Sequence, residues 1–115
     1  MAAIAPVSPG EMLREEFLKP LGLTPYRLAK DIDVPVTRIY DIVAGKRAVT
    51  AETDLLLCRY FGVSDGWWLA LQAHHDTQVA RRAIGKRLQK VPRCKLLTET
   101  SDLVHDASEP LLGAR

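Results

Sequence analysis

Two short helical stretches separated by a three-residue turn constrain this chain more than any other feature. Thr24-Pro25 sets a capping hydroxyl before a proline at the first helical position. That pair satisfies an orphan N–H and presets φ for a helix. The stretch it opens, about residues 25 to 31, turns Leu28, Ala29 and Ile32 to one side. Asp33-Val34-Pro35 interrupts it, because Pro35 biases Val34 away from helical dihedrals. A second stretch runs from about Val36 to Val43, with Ile39, Ile42 and Val43 at i, i+3 and i+4 on one face. Gly45 stands where a left-handed C-cap would close it.

The flanking sequence repeats the same signals. Ser8-Pro9-Gly10-Glu11 starts a helix with inner residues Met12, Leu13 and Phe17, which Pro20 and Gly22 are expected to stop near Lys19. Thr50 caps a helix over about residues 51 to 61, with Leu57, Cys58 and Phe61 inward and Gly62 at its end. A fifth helix is predicted from near Asp65 to Arg82 or Lys90, carrying a stripe of Trp68, Leu71, His75 and Val79. Gly85 weakens its end. No segment alternates as a strand would. The predicted fold class is all-α: a five-helix helix-turn-helix domain over residues 8–82, then an extension over 83–115 that is first basic and then acidic.

Composition narrows the function classes. A chain of 115 residues suits one modest core, and a net charge of +2 is too mild to prove nucleic-acid binding. No apolar run reaches the roughly 18 residues of a membrane span. The first basic residue is Arg14, so the charged start of a signal peptide is missing and a cytoplasmic location with no membrane partner is expected. Cys58 and Cys94 do not make a disulfide framework. His74 and His75 are adjacent and diverge on a helix, and Asp76 alone cannot complete a metal site with them. Cys58 lies in an apolar stretch that blunts the reactivity of a thiol, and no glycine-rich phosphate loop is present. No catalytic residue, metal ligand or cofactor is expected.

Two short helices joined by a tight turn, the second polar on its outer face, suit the major groove of DNA. That outer face holds Thr37, Arg38 and Asp41, with Tyr40 beside them. Thr37 and Arg38 are the expected base readers; Asp41 either accepts from cytosine or orients an arginine. Lys46 and Arg47 in the following loop suit phosphate contacts, and Arg27 suits a clamp on flanking backbone. The plain alternatives are helix capping for Thr37, packing on the edge of the preceding helix for Tyr40, and a solvated surface for Arg38, Lys46 and Arg47.

On these residues the chain resembles the Cro/lambda-repressor-type helix-turn-helix family. The stretches Gly22-Leu23-Thr24-Pro25-Tyr26-Arg27-Leu28-Ala29-Lys30 and Arg38-Ile39-Tyr40-Asp41-Ile42-Val43-Ala44-Gly45-Lys46-Arg47 carry the likeness. It is similar in particular to the HigA antitoxin branch, also called VapI-like. Pro9-Gly10-Glu11, Thr50-Ala51-Glu52-Thr53, Arg59-Tyr60-Phe61-Gly62 and Leu71-Gln72 support that branch. The resemblance covers about residues 8 to 82. It implies a non-catalytic homodimer that represses by binding double-stranded operator DNA and also neutralises a HigB-type toxin, a messenger-RNA interferase. The resemblance also adds Val36 to the recognition positions Thr37, Arg38, Tyr40 and Asp41. A stand-alone regulator without a toxin, and a protein-interaction domain on the same scaffold, are the alternatives. Two departures stand out. Asp33 replaces the usual turn glycine, though Asp tolerates left-handed dihedrals. Pro25 replaces a glutamine that in the wider family braces a base contact.

Trp67 and Trp68 point roughly 100° apart on a helix, so one is expected in the core, and the other either faces a dimer partner or covers the junction of the fourth and fifth helices. With Leu71 they are the expected dimer seam. Arg81, Arg82, Lys86, Arg87, Lys90, Arg93 and Lys95 form a basic run without an acid. A solvated helix end, flanking DNA and an acidic partner remain open for it. From Leu96 to Pro110 the sign reverses at Glu99, Asp102, Asp106 and Glu109.

Overall fold

The computed structural model describes residues 6–100. Beyond Glu99, the acidic residues of the expected tail lie outside the described residues. Five helices and no strand are found among the described residues. The first, α1, covers residues 9–21. Ser8 Oγ accepts from the Glu11 N–H at 3.1 Å to start it. Leu13–Leu18 takes the wider π register before Lys19–Leu21 returns to α-helix. Pro20 therefore does not stop α1 at Lys19. The Lys19 N–H reaches back to the Arg14 carbonyl, so the carbonyl row is already offset when the donor-less proline arrives. Gly22, at φ 62°, ends the helix instead.

Helix α2 is Pro25–Ile32 and α3 is Val36–Val43. Thr24 Oγ1 caps α2 at the Arg27 N–H. Asp33 has φ 61° and ψ 52°, the one left-handed residue other than glycine among those described. Its N–H donates to Lys30 and that of Val34 to Ala29, the paired bonds that close a helix around a left-handed residue. The aspartate thus does the work usually given to glycine, and the turn survives. Helix α4 is Ala51–Phe61, capped by Thr50 at the Thr53 N–H and ended by Gly62 at φ 73°.

Helix α5 is Trp67–Gln89. It starts two residues later than expected because Gly66 has φ 88°, a left-handed conformation that cannot belong to the helix. Trp68 has no exposed surface, Leu71 and His75 are half-buried, and Val79 is 47% exposed. Only the first turns of the predicted stripe therefore find a neighbour. At Ile84 the dihedrals leave the helical region, φ −115° and ψ 19°, beside Gly85.

The chain divides into two units, Met1–Ala83 and Ile84–Arg115. In the first, Leu13, Leu28, Ile39, Leu57 and Trp68 are fully buried and make the core. Phe17 stacks against Phe61 at 4.6 Å and Trp68 at 5.1 Å between ring centroids. Each of these residues comes from a different helix or from α1, so the core ties all five elements together. In the second unit, Lys95–Thr100 forms a 3₁₀ turn. Its basic residues from Lys86 to Lys95 are exposed, and Arg81 and Arg82 of the first unit are exposed as well.

Candidate nucleic-acid interface

The site begins with how α3 is held. Gly10 on α1 is buried against the end of α3. A methyl group there would run into the backbone carbonyl of Ile42 and lie 2.8 Å from that of Val43. Only glycine lets α1 approach so closely. On its other flank α3 meets α2, and Ile39 and Ile42 turn into the core. These contacts leave its remaining face to solvent.

Thr37 is exposed and Tyr40 is 53% exposed. Arg38 and Asp41 are half-buried on the same helix. Val36 packs partly on the core, so its side chain serves packing before recognition. The Arg38 Nε is buried and makes no hydrogen bond to any of the described residues. An unpaired buried donor of a cation costs free energy until an acceptor arrives. Ser8, Thr24 and Thr50 cap their helices, but no side chain caps α3, which Pro35 precedes. At the position those caps fill, the Arg38 N–H donates instead to the Pro35 carbonyl at 3.0 Å.

Arg27 is not a free clamp. Its Nε donates to both Asp31 oxygens at 3.1 Å, and the Tyr60 hydroxyl donates to Asp31 Oδ2 at 2.6 Å. The Tyr60 hydrogen bond holds the Asp31 carboxyl below the usual carboxylate range; desolvation opposes it, and the Arg27 guanidinium adds to the lowering. The same bond raises the Tyr60 hydroxyl above its ordinary value. Arg27 keeps only its outer nitrogens for another ligand.

Lys46 and Arg47 are exposed in the loop after α3. That loop is pinned by a residue the sequence reading assigned no role. Gln72 on α5 accepts from the Val49 N–H at 2.7 Å and donates to the Val49 carbonyl at 2.9 Å. A side-chain amide here pairs with a backbone amide in both directions. Asp54 was also missed. Its carboxylate, 1% exposed, accepts from the N–H groups of Gly66, Trp68 and Leu69 at 2.7, 2.9 and 3.1 Å. It caps α5 from another helix. In the sequence Asp54 reads as an ordinary first-turn acid of α4, and nothing local points to a partner a dozen residues on.

The expected seam residues separate. Trp68 is wholly inside the protomer and offers no surface to a second copy. Its place in the seam is withdrawn, because Phe17 and Phe61 already cover it. Trp67 is half-buried, edge-on to Phe17 at 5.8 Å. No group of three or more histidine, cysteine or acidic residues that could hold a metal occurs among the described residues. Within the same range no helix is long and apolar enough to cross a membrane.

The model of the helix-turn-helix family matches residues 14–68. Virulence-associated protein I of Dichelobacter nodosus is 46% identical over 76 residues, which are 66% of this chain and 70% of that protein. The chain belongs to the helix-turn-helix family, in its HigA and VapI-like branch. Antitoxin HigA-1 of Vibrio cholerae is 36% identical over 67 residues, 58% of this chain and 63% of that one. The structure of Pseudomonas aeruginosa antitoxin HigA with the higBA promoter superposes with a TM-score of 0.70 at 34% identity, covering 76% of this chain and 96% of that one. Members of this family are DNA-binding proteins and not enzymes. Helices α2 and α3 and the turn at Asp33 between them lie within the matched residues.

Proposed function

We propose that this protein is an antitoxin: it represses by binding its own operator as a homodimer, and it neutralises a HigB-type toxin. The observation that carries the DNA half is the outer face of α3. Thr37, Arg38, Tyr40 and Asp41 lie on one rigid helix away from its buried Ile39 and Ile42, and a guanidinium such as that of Arg38 forks onto guanine or phosphate. Likeness to an antitoxin solved with promoter DNA supports the same placement.

Thr37 and Arg38 read base edges in this proposal, with Tyr40 and Asp41 at the rim of the contact. Lys46 and Arg47 take phosphates and set register, since such contacts position a protein without reading sequence. Arg27 contributes through its outer nitrogens. Two copies joined through α5, with Trp67 or Leu71 near the seam, would present α3 to successive major grooves, about 34 Å apart. Residues 8–82 carry DNA binding and dimerisation, and 83–115 form an extension.

The test is binding of the purified protein to labelled DNA from upstream of its own gene, at low and high salt, against a scrambled duplex. Specific binding by two subunits, falling steeply with salt, is expected. Arg38→Ala should cost about 1–3 kcal/mol of discrimination, whereas Lys46→Ala should weaken all duplexes alike. Equal affinity for the scrambled duplex would end the operator reading. Co-expression with the product of the neighbouring gene tests the toxin half: growth should be rescued by this protein and not by an empty vector.

A further inference from the structure

Away from α3, residues of α1 and α5 border a groove of about 650 Å³. Its apolar lining is Val7, Met12, Phe17 and Trp67, and every charged residue lining it is a glutamate: Glu11, Glu15 and Glu16. Glu15 is engaged by Arg14 at 2.7 Å and Lys19 at 3.1 Å. Among the described residues the carboxylates of Glu11 and Glu16 have no such counter-ion. Phe17 and Trp67 are only half-buried, although both rings belong to the aromatic cluster of the core. A polyanion would be repelled here, so this is not a second nucleic-acid surface. The complement is a basic protein surface with an apolar side chain between its cations.

Resting on the antitoxin reading above, we propose that this groove is where the RNA-cleaving toxin docks. An enzyme that grips a phosphodiester backbone must carry clustered lysine and arginine. Glu11 and Glu16 meet those cations, while an apolar side chain of the toxin lies on Phe17 and Trp67. Charges at a rim of this kind steer association and choose the partner, and the buried aromatic floor holds it. The operator face stays free, because none of the groove residues belongs to α3 or its following loop. One protomer can therefore engage both ligands.

The experiment titrates the purified full-length protein with the purified product of the neighbouring gene, and separately with operator DNA. The double charge reversal Glu11→Lys with Glu16→Lys should weaken toxin binding at least 100-fold and leave operator affinity within about twofold. The neutral pair Glu11→Gln with Glu16→Gln should fall between, and it keeps the test open if the reversed protein folds poorly. Toxin that binds wild type and both variants alike overturns the docking surface and leaves the antitoxin reading standing. Toxin that does not bind wild type removes that reading and this one with it. A fall in sedimenting mass of either variant without toxin would assign the groove to a second copy of this chain, and the proposal would fail.

Discussion

Replacing Asp54 by alanine should cost more than any other single substitution of a charged side chain in this domain. Its carboxylate accepts three backbone N–H groups at the start of α5, all at 3.1 Å or less. Asp54 is 1% exposed, so water cannot easily replace it. A hydrogen bond to a charged group contributes about 1.5–3 kcal/mol, and an orphaned buried donor costs a similar amount. Gly66 and Leu69 are half-buried and recover part of the loss. The net cost of Asp54→Ala is then about 3–6 kcal/mol, against a typical total stability of about 5–15 kcal/mol. Asp54→Asn separates the contributions. Oδ1 serves Trp68 and Leu69, and Oδ2 serves Gly66 alone. If the amide NH₂ takes the Oδ2 place, two donors are kept and the third is met by another donor. That variant should lose about 1–3 kcal/mol, a fall in Tm of at least about 5 °C. Urea denaturation followed by circular dichroism and by tryptophan fluorescence measures both. A loss below about 1 kcal/mol for Asp54→Ala would refute the claim that this carboxylate anchors α5.

Other outcomes follow from single contacts. Gly10→Ala should shift α3 and cost about 1–3 kcal/mol by overpacking against the Ile42 and Val43 carbonyls; unchanged Tm and operator affinity would show that α1 can move away freely. Gln72→Leu removes both bonds to Val49, so the loop bearing Lys46 and Arg47 should loosen. Faster amide exchange at Val49 and a shallower salt dependence of operator binding are expected, and an unchanged salt slope would deny Gln72 that positioning role. Asp31 has a lowered carboxyl pKa, caused first by Tyr60 and then by Arg27. Its contribution to stability is therefore present above the ordinary carboxylate pKa of about 4 and is lost as pH falls through the lower folded value. Tyr60→Phe should raise the Asp31 midpoint in a carboxyl NMR titration; no upward movement would contradict the cause assigned.

The sequence alone was enough to place the helices to within a few residues and to pair α2 with α3. Caps and left-handed stops act over three or four residues, so Ser8, Thr24, Thr50 and Gly62 could be read without knowing any partner. The face of α3 was equally legible, since Ile39, Ile42 and Val43 leave Thr37, Arg38 and Asp41 on the other side by period alone. Asp33 was readable for the same local reason, as one residue able to hold a left-handed turn. What needed the tertiary structure were interactions between residues distant along the chain. The close approach of Gly10 to α3, the capping of α5 by Asp54 and the grip of Gln72 on Val49 depend on where whole helices land. A first-turn aspartate or a mid-helix glutamine carries no mark of such a role. The same limit decided between the two tryptophans: helical spacing sends them apart, but only the packing of Phe17 and Phe61 determines that Trp68 is the one enclosed.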